Sequence, residues 1–271
     1  MTIVKLTPRP VTKPWGITDL PPMFAKQGDG EAVGEIWFEH PDGSEPALLV
    51  KYLFTSEKLS VQVHPDDALA VQHGLSHGKE EAWVITGASD DASLGLGFTK
   101  TLSDAELRDA ALDGSIEGLL DWRKVRPGDH FHVVPGTVHA IGAGLTLVEV
   151  QQYADLTYRL YDYGRPRELH LDEAVEAATA GPYTVANTPF TQQDGSELLV
   201  AGPKFRLVRH HWKGTLDRLP QRITSPWWFI PLAGTGRLGE QDWQAGDCFL
   251  ADSPAPIEAD GEATALFACA V

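Results

Sequence analysis

The chain is expected to be a mainly β protein: a jelly-roll barrel able to hold a metal, then a second, degenerate β half, with a few short helices. Three observations predict this class. Gly and Pro recur throughout (26 and 19 of 271 residues) and separate short runs rich in Val, Leu, Ile and aromatics, the rhythm of strands and turns. One run alternates with period two and carries ligand-type side chains on a single face. A turn-and-strand pattern of the first half also recurs in the second half without its ligand.

The first apolar run covers residues 47–54, followed by the turn Thr55-Ser-Glu-Lys58 and the strand Leu59-Ser-Val-Gln-Val-His64. Read as a hairpin, it sets Phe54 opposite Leu59 and Lys51 opposite Gln62, and opposed residues project to one side of a sheet. Lys51 then shares a face with Ser60, Gln62 and His64, while Leu59, Val61 and Val63 share the other. A slip of one residue turns Lys51 to the surface. The next strand is Glu81-Ala-Trp-Val-Ile-Thr86. Helix is expected in two places. Ser103-Asp-Ala-Glu106 is a capping box that starts a helix, with a further turn or two running from Ile116 to Trp122. Residues 172–180 form a second short helix, stopped by Gly181-Pro182.

Past Pro182 the texture changes. Strands are expected over residues 205–211, 227–232, 248–251 and 263–270, with turns at Gly234-Thr-Gly236 and Ala245-Gly-Asp247. The run Arg126-Pro-Gly-Asp-His-Phe-His-Val-Val-Pro135 is echoed by Trp243-Gln-Ala-Gly-Asp-Cys-Phe-Leu250, but Ser253-Pro254 stands where a ligand would follow. The expected division is therefore a metal-binding domain over residues 1–182 and a degenerate, metal-free one over 183–271. His210 and His211 are neighbours on one strand and point to opposite faces, so they do not chelate together.

Gln62 and His64 on one strand face, Glu81 at the start of the next strand, and His139 after the turn Pro135-Gly-Thr-Val138 make one constellation. A lone strand His is more often hydrogen-bonded structure than ligand. The four together are another matter. Two imidazoles, a carboxylate and an amide oxygen suit one zinc ion per chain and leave a position open. Their order is the cupin arrangement, with Gln at the first position in place of His. His130 and His132 have His-x-His spacing, but no Glu follows at ligand distance, and they read as structural.

The formal net charge of −16 argues against nucleic acid and anionic membranes as partners, because the overall field repels both. No apolar run approaches the roughly 20 residues that span a bilayer. The N-terminus lacks a signal-peptide core, and cytoplasmic placement is expected. Cys248 and Cys269 are far apart and outside any CxxC spacing, which favours buried free thiols over a disulfide.

Five motifs lie over residues 14–172: Pro14-Trp-Gly16, Leu59-Ser-Val-Gln-Val-His-Pro-Asp-Asp67, Gly78-Lys-Glu-Glu-Ala-Trp83, Pro135-Gly-Thr-Val-His-Ala140 and Glu149-Val-Gln-Gln-Tyr-Ala-Asp-Leu-Thr-Tyr-Arg-Leu-Tyr-Asp-Tyr163. In this order they resemble the type I mannose-6-phosphate isomerase family in its short bacterial form. The resemblance implies that Gln62, His64, Glu81 and His139 hold zinc. It implies that Lys79, Arg159 and Glu149 are active-site residues, and that Lys51 and Ser60 serve the substrate phosphate. Trp15 is expected at the substrate pocket and Trp83 near its mouth, although plain core packing explains both rings as well. One departure is Asp67, where longer members carry Lys, and it bears on phosphate selectivity.

The implied reaction interconverts mannose 6-phosphate and fructose 6-phosphate through an enediolate. A Lewis-acid metal and the fixed charge of Arg159 would stabilise its oxyanion. Lys79 (if zinc and burial depress its pKa) or Glu149 would move the proton. Alternatives are an isomerase of an unphosphorylated aldose such as mannose, an iron-dependent cupin dioxygenase, and a non-catalytic sugar-binding bicupin. Gln62 counts against the dioxygenase, and Lys79 with Arg159 against the binding protein. The expected partner is a small sugar phosphate, and oligomeric state is not legible.

Overall fold

In the computed structural model, which describes residues 2–184 and 189–271, the chain is built from three antiparallel sheets and a few short helices. Five strands form one sheet in the order Tyr158–Tyr161, Val61–Val63, His139–Ile141, Ser93–Phe98, Leu120–Lys124. Six form a second, in the order Thr7–Ile17, Val33–Glu39, Leu48–Thr55, Leu145–Gln152, Glu81–Ala88, His130–Val133. Strands of the second half form the nine-stranded third sheet, which also takes in Ile3–Lys5 through its pairing with Phe249–Ala251.

Period-two alternation decides how these layers stack. In Leu48–Thr55, the residues Leu48, Val50, Tyr52 and Phe54 join a core that reaches Phe205, Leu207 and Trp228 of the second half. The opposite face contributes Leu53, which packs with Trp83, Ile85 and Leu147 against Leu94, Leu96 and Ile141 of the five-stranded sheet. The five- and six-stranded sheets thus pack face to face. Val61 and Val63 point outward to a third core with the helices, including Leu107, Ala111 and Ala174. A polar residue on the inward face of either sheet is aimed into the space between them.

The expected hairpin over residues 47–64 does not form. Leu48–Thr55 pairs with Val33–Glu39 and Leu145–Gln152, whereas Val61–Val63 pairs with His139–Ile141 and Tyr158–Tyr161. The turn after Thr55 carries the chain from one sheet to the facing one, so Lys51 and Gln62 are not ladder partners. Lys51 nonetheless looks toward Gln62, because both lie on inward faces.

Both expected helices are present but shorter: Asp104–Asp113 is followed by Ile116–Leu119, with Leu120–Lys124 a strand where helix was expected to Trp122, and Leu171–Ala177 ends before the expected stop at Gly181-Pro182. The Ser103 capping box is complete: its side chain accepts from Glu106 N, and the Glu106 carboxylate accepts from Ser103 N. Among the described residues there are two further helical segments. Asp67–Gln72 is capped by Asp66, whose side chain accepts from Leu69 N. The 3₁₀ turn Pro22–Gln27 tucks Phe24 against Tyr52 and Phe54. Cys248 and Cys269 are free and buried. His210 is buried and His211 exposed, as opposite strand faces require. No helix among the described residues is long and apolar enough to cross a membrane.

Candidate active site between two facing sheets

His64 and His139 come from the five-stranded sheet and Glu81 from the six-stranded sheet. One ligand atom from each lies within 4.8 Å of the others, and all three residues are buried. Pairing of His139 with Gln62 across the ladder sets Gln62 beside them. Gly78 lets the Glu81 strand start close by, since a Cβ there would lie 2.3 Å from Pro65 O.

The donor set fits a cation. His139 Nδ1 lies 2.9 Å from Thr137 O, so the ring N–H donates to that carbonyl and Nε2 is left with its lone pair. Both ring nitrogens of His64 and Oε1 of Glu81 are buried without a hydrogen-bond partner among the described residues. His64 Nε2 and His139 Nε2 stand 3.6 and 3.4 Å from Glu81 Oε1. Burial first, and then the nearby Lys79 charge, push His64 down to about 3. Burial also lowers His139. Burial alone would raise Glu81, but Lys79 and the two imidazoles outweigh it and hold the carboxyl well below its ordinary range. Neutral imidazoles and an ionised carboxylate are the states that bind a metal.

Against this cluster lies a cavity of about 300 Å³. Gln62, Lys79, Glu149, Lys51, Ser60, Arg159 and Trp15 all line it, with Lys13, Glu35, Asp155, Thr157 and Arg167. His64, Glu81 and His139 sit beneath its wall, reached through Gln62 and Lys79. Gln62 Nε2 is 3.1 Å from His139 Nε2, and Ser60 Oγ donates to Gln62 Oε1 at 3.2 Å.

Charges alternate along the cavity floor. Lys79 Nζ is 3.0 Å from Glu81 Oε2 and 3.6 Å from Glu149 Oε1. Lys51 Nζ reaches the same Glu149 oxygen at 3.4 Å. The other oxygen of Glu149 accepts from Trp83 Nε1 at 3.1 Å. Lys51 also stands 4.3 Å above the Trp37 ring, a cation–π contact, and Glu35 accepts from the Trp37 indole N–H and pairs with Lys13. A single register row, Trp37–Lys51–Glu149–Trp83, accounts for this proximity. Burial pulls the Lys79 pKa down, but Glu149 and Glu81 outweigh it and hold the ammonium above its ordinary range. The depression considered from sequence invoked zinc as well as burial, whereas the protein's own acids act in the opposite direction.

Arg159 is placed next to Gln62 by register. Its Nη1 donates to Glu168 O at 2.7 Å, and its Nε is buried without a partner among the described residues. Trp83 is fully buried behind the cavity, its ring 5.3 Å from His139, so it packs and does not line the mouth. His132 lies on the far side, bonded to Glu80, and His130 likewise sits outside the cluster. Sequence reading missed Glu35, Lys13 and Arg167. Glu35 and Trp37 sit two apart on one strand, a signal that alternation offered, but nothing marked which face was inward. Arg167 is fixed by a bidentate pair with the buried Asp162, shared with Arg165.

No family model matches the chain. It is 35% identical over 224 residues to the mannose-6-phosphate isomerase of Streptococcus mutans, covering 77% of this chain and 70% of that protein. It is 37% identical over 198 residues to the probable mannose-6-phosphate isomerase GmuF of Bacillus subtilis, covering 68% and 62%. The fold superposes on the crystal structure of the mannose 6-phosphate isomerase from Bacillus subtilis with a TM-score of 0.86, at 29% identity over 99% of this chain and 100% of that one. A putative mannosephosphate isomerase from Archaeoglobus fulgidus, 18% identical, shares the fold with a TM-score of 0.76 over 99% of this chain and 97% of that one.

Proposed function

The chain belongs to the mannose-6-phosphate isomerase family, and from that premise we propose that it interconverts mannose 6-phosphate and fructose 6-phosphate in the cavity beside His64, Glu81 and His139. The observation that carries this reading is the buried cluster of two imidazoles and a carboxylate, with His139 oriented by Thr137 O, lying directly behind a cavity lined by Gln62, Lys79, Lys51, Glu149 and Arg159. The metal we assign to it is a single zinc ion. Gln62 is the fourth ligand once its amide turns to present oxygen. When bound, zinc would supply Lewis-acid stabilisation of the negative charge that develops on the sugar's O1 and O2.

The chain's own residues do the rest. Lys51 and Ser60 bind the phosphate, and Trp15 walls the pocket. Arg159, held by the Glu168 carbonyl, keeps a permanent positive charge near the developing oxyanion. Lys79 and Glu149, 3.6 Å apart, form the pair that takes the proton from one carbon and returns it to its neighbour. Binding a dianion in a protein of net charge −16 is feasible because screening over about 10 Å mutes distant acids. The facing sheets are assigned as a cupin barrel over residues 1–182, with residues 183–271 as a metal-free, cupin-like companion.

A coupled assay for fructose 6-phosphate, run before and after exhaustive chelation, tests the reading. Turnover of mannose 6-phosphate that vanishes on metal removal and returns with zinc supports it. Undiminished turnover in metal-free protein would overturn it.

A further inference from the structure

We propose that the turn at residues 202–204 of the second half braces the segment 78–81 of the first, with Asp67 and Lys204 as positioning residues for Lys79 and Glu81. The inference rests on the zinc-dependent isomerase reading and adds a role for the half that supplies no ligand.

Segment 78–81 is held by directed bonds. Gly78 N donates to Asp67 Oδ1 at 2.9 Å, Lys79 N to Pro65 O at 3.1 Å and Glu80 N to Gln152 Oε1 at 2.9 Å. Gln152 N donates back to Glu80 O at 3.1 Å. Asp67 Oδ1 also accepts from Gln152 Nε2 at 3.0 Å. One carboxylate therefore fixes both Gly78 and the glutamine that fixes Glu80. Its second oxygen receives Lys204 Nζ at 2.5 Å, in a partly exposed ion pair.

At Gly202 the backbone of the second half runs close to Glu80, with no room for a side chain between them. A Cβ placed there would come 2.0 Å from Glu80 Oε1 and 3.2 Å from His132 Nε2. Glu80 is 1% exposed and lies 3.1 Å from that same imidazole nitrogen, so it has no open space into which to retreat. The turn cannot easily withdraw either, because Gly202 N donates to Phe205 O at 3.0 Å, and Phe205 is anchored in the core shared by both halves. Successive residues of an extended segment point to opposite sides. Glu80 therefore faces the second half while Lys79 and Glu81 meet each other over the ligand cluster at 3.0 Å. A side chain at 202 that displaced Glu80 would therefore displace both of its neighbours.

The test compares full-length wild type with D67N, K204M, G202A and G202V, measuring zinc affinity by chelator competition, the cobalt(II) d–d spectrum and melting of the metal-free protein. D67N and G202V are expected to weaken zinc binding by about tenfold or more, the range seen when groups that orient metal ligands are lost, and to shift the cobalt bands. K204M is expected to lose only about twofold to threefold, because its ion pair is partly exposed. Metal-free D67N is expected to melt within a few degrees of wild type. Unchanged zinc affinity and cobalt spectra in D67N and G202A overturn the brace, whether or not melting falls. Should G202V fail to fold, those two variants decide. If wild type itself binds no zinc, the isomerase reading fails; if wild type binds zinc and turns over while the variants match it, only the brace fails.

Discussion

At the scale of single residues, the site is a balance of buried charges, and each member has a separable effect. Lys51 is 4% exposed and ion-paired to Glu149, so its ammonium reaches substrate already ordered. Lys51→Ala is expected to raise KM for mannose 6-phosphate by about tenfold to a hundredfold, the value of a hydrogen bond to a charged group, and to change turnover of free mannose little. Equal losses on both sugars would remove Lys51 from phosphate recognition. Glu81→Gln keeps the shape but removes the only carboxylate in the donor set. It is expected to abolish stoichiometric zinc by elemental analysis, and retained full-affinity zinc would contradict the ligand assignment. The residue types at 62, 64, 81 and 139 were legible because few other roles need those groups in that order. Glu35 and Arg167 were not, because an acid or an arginine in a strand or loop is ordinarily a solvated surface group.

At the scale of elements, local signals succeeded where local chemistry sufficed. The Ser103 cap is made of atoms three residues apart, so Ser103→Ala should cost about 1 kcal/mol in urea unfolding, and no change would mean that this helix end is held by packing alone. The Asp66 cap of Asp67–Gln72 was equally local, but no helix was read after the motif around His64. The failed hairpin has a different cause. A four-residue turn is compatible with a ladder, and only the packing of two sheets sends Val61–Val63 into the opposite one. Lys51 reached the right cavity by a wrong route, since facing sheets and adjacent strands both bring alternating residues into one interior. In the second half, Phe229 is fully buried among Trp212, Trp243, Phe249 and Phe267. Phe229→Ala is expected to cost about 3–5 kcal/mol in the same unfolding experiment, and a loss below about 1 kcal/mol would mean the surrounding rings collapse to fill the space.

At the scale of the whole molecule, the two halves are joined by a shared apolar core and by Asp67 with Lys204. Asp67 has a pKa lowered to about 2 from 3.8: burial opposes the shift, and Lys204, Gln152 and Gly78 outweigh it. A depressed carboxylate stabilises the fold above its unfolded pKa and loses that contribution as pH falls through the folded value. The gap between wild type and D67N in urea unfolding should therefore be full at pH 7, close between about pH 4 and pH 2, and stay near 1 kcal/mol or less for so exposed a pair. A gap that persists undiminished at pH 2 would assign it to packing. The strand-and-turn rhythm, the capping box and the order of ligand-type residues were settled by the sequence itself, because each depends on residues within a few positions of one another or on side-chain chemistry alone. Which sheet each strand joins, the charge row from Trp37 to Trp83, the pairing of Lys79 with Glu81 and Glu149, and the close approach of Gly202 to Glu80 were decided only in three dimensions. Those outcomes depend on burial and on partners as far apart as Ile3 and Ala251, and nothing within one segment encodes which distant segment will cover it.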